Sequence, residues 1–304
     1  MAAEALTIEV ELGQLAASIF TPDGGADPAL PLLFCIPGMT YTSGYYDLRF
    51  DGHDGYSFAA AMTARGYVVA TVDNLGTGAS SRPGIEVDLA AIAAANAEAA
   101  ATIRARVSAT RVVGIGHSMG GGVLVAQQSG HGSFDAIAAL GFSTQKLAGI
   151  YEDHANEAAL TFEERTAWAR EHIPPKIWGA EWTTLDPFFT LDRAGFRDLF
   201  YRPDVPDDIV AADTLTATCA PRQAALDIIT PGIGARFAAG VRGPVFLAFG
   251  DTDLSPDPRA EVGAYAASDD ITLMLLPDSA HCHNLASSRA LLWDRLDAWV
   301  RGLA

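Results

Sequence analysis

The chain opens with "LTIEVELGQLAASIF", where apolar and polar positions alternate until Gly13 breaks the rhythm, as in an antiparallel hairpin with one face covered. Four later stretches are continuously apolar: "LPLLFCIP" (30–37), "YVVATVD" (67–73), "RVVGIG" (111–116) and "FDAIAALGF" (134–142). Runs of that length and uniformity predict strands buried on both faces. Between them, "YSFAAAMTARG" (56–66) and "VDLAAIAAANAEAAATIRARV" (87–107) consist of strong helix formers, and a third helix follows Ser118. From 145 to 240 the alternation lapses into a helical and irregular stretch punctuated by Pro174, Pro175, Pro187, Pro203, Pro206, Pro221 and Pro231. It resumes with a strand at 244–250, a helix near 257–267, a strand at 271–277 and a last helix at 285–303. Strands alternating with helices predict an α/β fold, a mostly parallel twisted sheet with helices on both faces. Its core is expected in residues 1–144 and 241–304, with 145–240 inserted as a helical lid.

Composition narrows the function classes. The 304 residues are 49% hydrophobic and 19% charged, as in a globular protein able to bury a large core. A formal net charge of −17 opposes nucleic acid and anionic lipid as partners, and leaves homo-oligomerisation open. Cys35, Cys219 and Cys282 are too few and too scattered for a disulfide framework, which points to a reducing cytoplasm. The acidic start "MAAEALTIEVELGQ" is no secretory signal, and no apolar run is long enough to span a membrane.

One segment invites a chemical reading. "VVGIGHSMGGG" ends a predicted strand and opens a helix, and its centre, Gly116-His117-Ser118-Met119-Gly120, has the G-x-S-x-G form of a nucleophile elbow. Ser118 is alternatively a helix N-cap. As a nucleophile it needs a base, and the base needs a carboxylate to fix its tautomer. "VFLAFGDTDLSPDP" supplies Asp251 and Asp253 after one predicted strand, and "LMLLPDSAHCHNL" supplies His281 and His283 after the next. The N–H of Met119, next after the serine, is a ready donor to an oxyanion. His281-Cys282-His283 reads poorly as a metal site, because three adjacent residues cannot close a tetrahedral shell unaided. No metal or organic cofactor is therefore expected. Cys282 has no elbow and is expected to point away from His281.

"PGMT" (37–40), "DNLGTGASSRP" (73–83), "GHSMGG" (116–121) and the "FGDTD…AHCHN" pair together resemble the α/β-hydrolase superfamily in its lidded, single-domain branch. The resemblance implies a Ser-acid-His order, with Asp253 as the acid of a G-x-x-D pattern and His281 as the base. It implies Met39 N–H as the second oxyanion donor, although Pro37-Gly38 stands where most relatives carry His-Gly. It also implies that Asp73 and Asn74 organise the loop beside the site. Aspartate-nucleophile chemistry of the epoxide hydrolase and dehalogenase kind is disfavoured by Ser118.

The inserted segment is rich in aromatics, namely Tyr151, Trp168, Trp178, Trp182, Phe188, Phe189, Phe196, Phe200 and Tyr201. Some are expected to line an apolar pocket, with Trp178, Trp182 and Tyr201 the candidate substrate contacts. Its Arg165, Arg170, Lys176, Arg193, Arg197 and Arg202 read as a solvated face. The sequence thus predicts a serine hydrolase that cleaves a carboxylic ester or lactone of an apolar or aromatic small molecule, bulky substrates included, through an acyl-enzyme. Thioesterase, carbon–carbon hydrolase and perhydrolase chemistry use the same residues, and a ligand receptor with a slow triad is the alternative of another class.

Overall fold

A computed structural model describes residues 1–145, 147 and 161–303; Tyr151 and much of the start of the insertion lie outside them. In chain order the elements are β1 (Ala2–Val10), β2 (Gly13–Thr21), β3 (Leu32–Ile36), α1 (Phe58–Thr63), β4 (Val69–Val72), α2 (Leu89–Arg106), β5 (Val112–His117), α3 (Met119–His131) and β6 (Ala136–Leu140). The insertion follows, with α4 (Phe162–Ile177), β7 (Phe188–Thr190), α5 (Arg197–Phe200), α6 (Asp207–Leu215), β8 (Cys219–Pro221), α7 (Arg222–Ile229) and α8 (Ile233–Ala238). The chain then closes through β9 (Val245–Gly250), β10 (Ile271–Leu276) and α9 (Arg289–Gly302).

Eight strands form one sheet in the order β1-β2-β4-β3-β5-β6-β9-β10. The β1–β2 hairpin is antiparallel, β2 pairs antiparallel with β4, and every later pairing is parallel. The apolar runs β3, β4, β5, β6 and β9 are buried along their whole length. Strand periodicity divides their side chains between two cores. Leu32, Phe34 and Ile36 of β3 pack with Ile92 of α2 and Val123 of α3, whereas Leu33 and Cys35 pack with Phe58 of α1 and Trp293 of α9. Strand order reverses about β3, which lies between β4 and β5. Open α/β sheets assemble their sites at such a switch point, beyond the carboxyl ends of the strands.

Two expectations fail in detail. The stretch near 257–267 holds only a short 3-10 turn, Ala260–Ala264, because Pro256 and Pro258 interrupt its start. The insertion is also not wholly helical, since β7 and β8 pair as a small antiparallel ribbon. Near its end, Ile233 and Ala238 of α8 join the same apolar core as α2 and α3.

Candidate active site

Strand β5 ends at His117 and α3 begins at Met119, leaving Ser118 alone at the corner. Its backbone sits at φ 55° and ψ −123°, a conformation that L residues avoid, and its side chain makes no capping bond. The N-cap alternative therefore does not describe it. The corner is held by Ser118 N–H donating to the Leu140 carbonyl (2.8 Å), while the Ser118 carbonyl accepts from Gly121 N–H (2.8 Å).

Ser118 Oγ lies 2.8 Å from His281 Nε2, and His281 Nδ1 lies 2.7 Å from Asp253 Oδ1. The carboxylate also accepts from the N–H groups of Gly250 (3.0 Å) and Leu254 (2.7 Å), and Oδ2 lies 2.8 Å from His283 Nε2. Burial alone would raise the pKa of Asp253, but the facing His281 and His283 draw it well below the usual carboxylate range. An ionised Asp253 accepts only, so both imidazoles donate to it. In the neutral imidazole of His281, Nε2 is then the bare nitrogen, placed to accept a hydrogen bond from the Ser118 hydroxyl. Asp251, the alternative acid, is exposed and accepts from the N–H groups of Asp278 and Ser279 (3.2 Å each).

His117 Nε2 lies 2.7 Å from the His281 carbonyl, to which it donates. Burial, then the neighbouring His281 and His283, push its pKa well below the ordinary imidazole value, so it stays neutral. The His281 loop leans on the insertion, with His281 N–H donating to the Leu199 carbonyl (3.2 Å) and Cys282 N–H to the Phe200 carbonyl (2.9 Å). Cys282 Sγ turns to Tyr41 Oη (3.3 Å), and burial raises its thiol pKa. Asp73 accepts from the N–H groups of Ser43 (2.6 Å) and Ala79 (3.0 Å), and Asn74 Nδ2 reaches the Pro37 carbonyl (3.4 Å), which braces the loops beside β3.

Met119 N–H is the first of α3, where backbone donors have no acceptor within the helix. Gly38 lies so close to the serine that a Cβ added to it would stand 3.1 Å from Ser118 Cβ, and Met39, the next residue, lines the same cavity as Ser118. The nearby hydroxyls are both bonded to the insertion. Tyr41 Oη donates to Asp213 Oδ2 (2.6 Å), and Thr40 Oγ1 accepts from Arg193 Nε (3.2 Å).

A cavity opens over Ser118 and His281, walled by Met39, Phe142, Leu147, Ile177, Trp178, Leu191, Phe196, Leu199, Phe200, Ile228, Ile229 and Leu254. Tyr41 and Ser143 also line it, but the Ser143 hydroxyl is bonded to Glu261 (2.6 Å). Of the candidate substrate contacts only Trp178 lies on this wall. Trp182 sits under the guanidinium of Arg222, 4.5 Å from its ring centre, and Tyr201 is buried with its hydroxyl on Asp213 (2.6 Å). Both bear on the packing of the insertion. Arg193, read above as solvated, is fully buried. The aliphatic wall, from Leu147 to Leu254, escaped the sequence reading because nothing distinguishes such residues from ordinary core.

The family model "Alpha/beta hydrolase family" matches residues 33–294. The chain belongs to the alpha/beta hydrolase family. No curated protein sequence matches this hydrolase, whereas solved structures match it along nearly its whole length. A bromoperoxidase from Bacillus anthracis superposes with a TM-score of 0.66 at 14% identity, covering 98% of this chain and 99% of that one. A proline iminopeptidase from Mycobacterium smegmatis gives 0.61 at 16%, covering 98% and 97%. A thioesterase domain from the curacin biosynthetic pathway gives 0.58 at 14%, covering 97% and 100%. At such identities the likeness is one of fold, and the three differ in their chemistry. Among the described residues no helix is long and apolar enough to cross a membrane.

Proposed function

We propose that this alpha/beta hydrolase cleaves carboxylic esters or lactones with an apolar acyl portion, through an acyl-enzyme. The observation that carries the reading is the unbroken hydrogen-bonded line from Asp253 through His281 to a strained Ser118, at the floor of an apolar cavity. Ser118 Oγ attacks the carbonyl carbon while His281 Nε2 takes its proton. The N–H groups of Met39 and Met119 hold the developing oxyanion. The proton then passes from His281 to the departing alkoxide, and water, deprotonated by the same nitrogen, releases the acid and restores the serine. Asp253 holds the imidazole in the required tautomer and balances its transient positive charge. Residues 145–240 act as a lid, contributing Ile177, Trp178, Leu191, Leu199 and Phe200 to the wall. Trp178 is the proposed aromatic contact with substrate. Among the described residues that wall carries no lysine, arginine or carboxylate to pair with a charged acyl group, which favours neutral substrates.

The reading is tested by intact-mass analysis after exposure to a small fluorophosphonate, with Ser118→Ala as control. A p-nitrophenyl ester series of increasing acyl length then follows. One adduct on Ser118, absent from the control, and a kcat/KM that climbs with acyl length are expected. An adduct elsewhere, or none together with no ester turnover, refutes the proposal.

A further inference from the structure

Gly38, Met39, Thr40 and Tyr41 form a tight turn, closed by Tyr41 N–H donating to the Gly38 carbonyl (3.2 Å). Thr40, its third residue, has φ 61°. A turn with positive φ at that place reserves it for glycine or asparagine, because a Cβ there is strained. A β-branched residue is among the worst suited to it. Something outside the turn must impose the conformation, and the insertion supplies it.

Arg193, fully buried, spends its fork on this residue. Nη2 donates to the Thr40 carbonyl, Nε donates to Thr40 Oγ1 (3.2 Å), and the guanidinium lies 3.5 Å from the centre of the Tyr41 ring. Thr218 N–H, also from the insertion, donates to the same carbonyl (2.9 Å). The fork is itself anchored, since Nη1 donates to the Asp213 carbonyl (2.8 Å) and approaches Asp213 Oδ2 (3.4 Å). Asp213 Oδ2 is held in turn by the hydroxyls of Tyr41 and Tyr201, at 2.6 Å each. A desolvated ion pair is costly to maintain, so its placement on one strained peptide calls for a role beyond packing.

We infer that Arg193, anchored by Asp213, is a positioning residue that clamps Thr40 in its left-handed conformation and so aims the Met39 N–H at the oxyanion. The inference rests on the ester-hydrolase reading given above. It makes part of the insertion a component of the catalytic apparatus, although among the described residues none of its charged side chains lines the cavity.

The test compares second-order rates of fluorophosphonate labelling, and kcat and KM for a p-nitrophenyl ester, in wild type, Arg193→Met, Thr40→Gly and the double variant. Loss of aim at a single oxyanion donor is expected to slow labelling and kcat by about 10- to 100-fold, with little change in KM. Glycine adopts the positive φ without enforcement, so removal of Arg193 in the Thr40→Gly background is expected to cost only a small fraction of that factor. If Arg193→Met does not fold, Arg193→Met with Asp213→Asn removes both charges and serves in its place. Labelling at the wild-type rate overturns the inference, and so does an equal loss in the threonine and glycine backgrounds, which is the mark of a merely structural arginine. If the wild type is never labelled on Ser118, the ester-hydrolase reading fails first and takes the clamp with it.

Discussion

Asp227, on α7, offers a clean test of how burial acts on a carboxylate in this fold. Burial raises its pKa from an ordinary 3.8 to about 6, against the opposing donors Leu89 N–H (3.1 Å) and Gln223 Nε2 (2.7 Å). The folded chain therefore prefers the protonated form. The stability that this preference contributes is fully present below about pH 4 and is lost as the pH rises through 6. A difference of roughly two pKa units makes that loss about 3 kcal/mol by pH 8, with about half of it already reached by pH 5. Asp227→Asn abolishes the titration while its amide oxygen still accepts from Leu89; the Gln223 amide, whose oxygen accepts from Arg170 Nη2 (2.6 Å), has to give up that bond to meet the new donor, which trims the gain. The variant is expected to exceed wild type by about 1–3 kcal/mol in urea denaturation at pH 8, with the advantage shrinking steadily towards pH 4. A variant less stable at pH 8, or an advantage independent of pH, would refute the reasoning.

His283→Ala removes a donor from the buried, ionised Asp253; a loss of about 1.5–3 kcal/mol is expected in urea denaturation, partly restored by Gln, which returns an amide donor at similar reach. Equal stabilities for the Ala and Gln variants would show that the bond contributes nothing. Gly120→Ala would set a Cβ 2.2 Å from the Ile36 carbonyl oxygen, forcing the elbow away from the end of β3. Labelling of Ser118 is expected to fall by more than tenfold even where circular dichroism still reports a folded chain.

The parts of this molecule that could be read from sequence are those governed by periodicity or by a local motif. Continuous apolar runs gave β3 to β6 and β9, since a strand covered on both faces has no polar side to display. Ser118, Asp253 and His281 stand together because each follows the carboxyl end of a strand in the parallel part of one sheet, a relation that chain order already implies. Arg193 was misread because nothing in "LDRAGF" tells a buried arginine from a solvated one; its partners Thr40 and Asp213 are 153 and 20 residues away. Tyr201 and Trp182 were misassigned for a related reason. An aromatic signals that it will be buried, and whether by substrate or by neighbouring side chains is decided by tertiary contacts alone.

The carbonyls of Leu199 and Phe200 that receive His281 N–H and Cys282 N–H have a bearing on protein engineering. A chimera that replaced the whole stretch between β6 and β9 would place its crossover points at the two ends of that stretch. Such a crossover would discard the backbone acceptors of the histidine loop. A chimera that changes substrate preference without disabling the serine should graft around residues 193–213, leaving that strip with its native sheet and drawing new wall residues from α4 and α7.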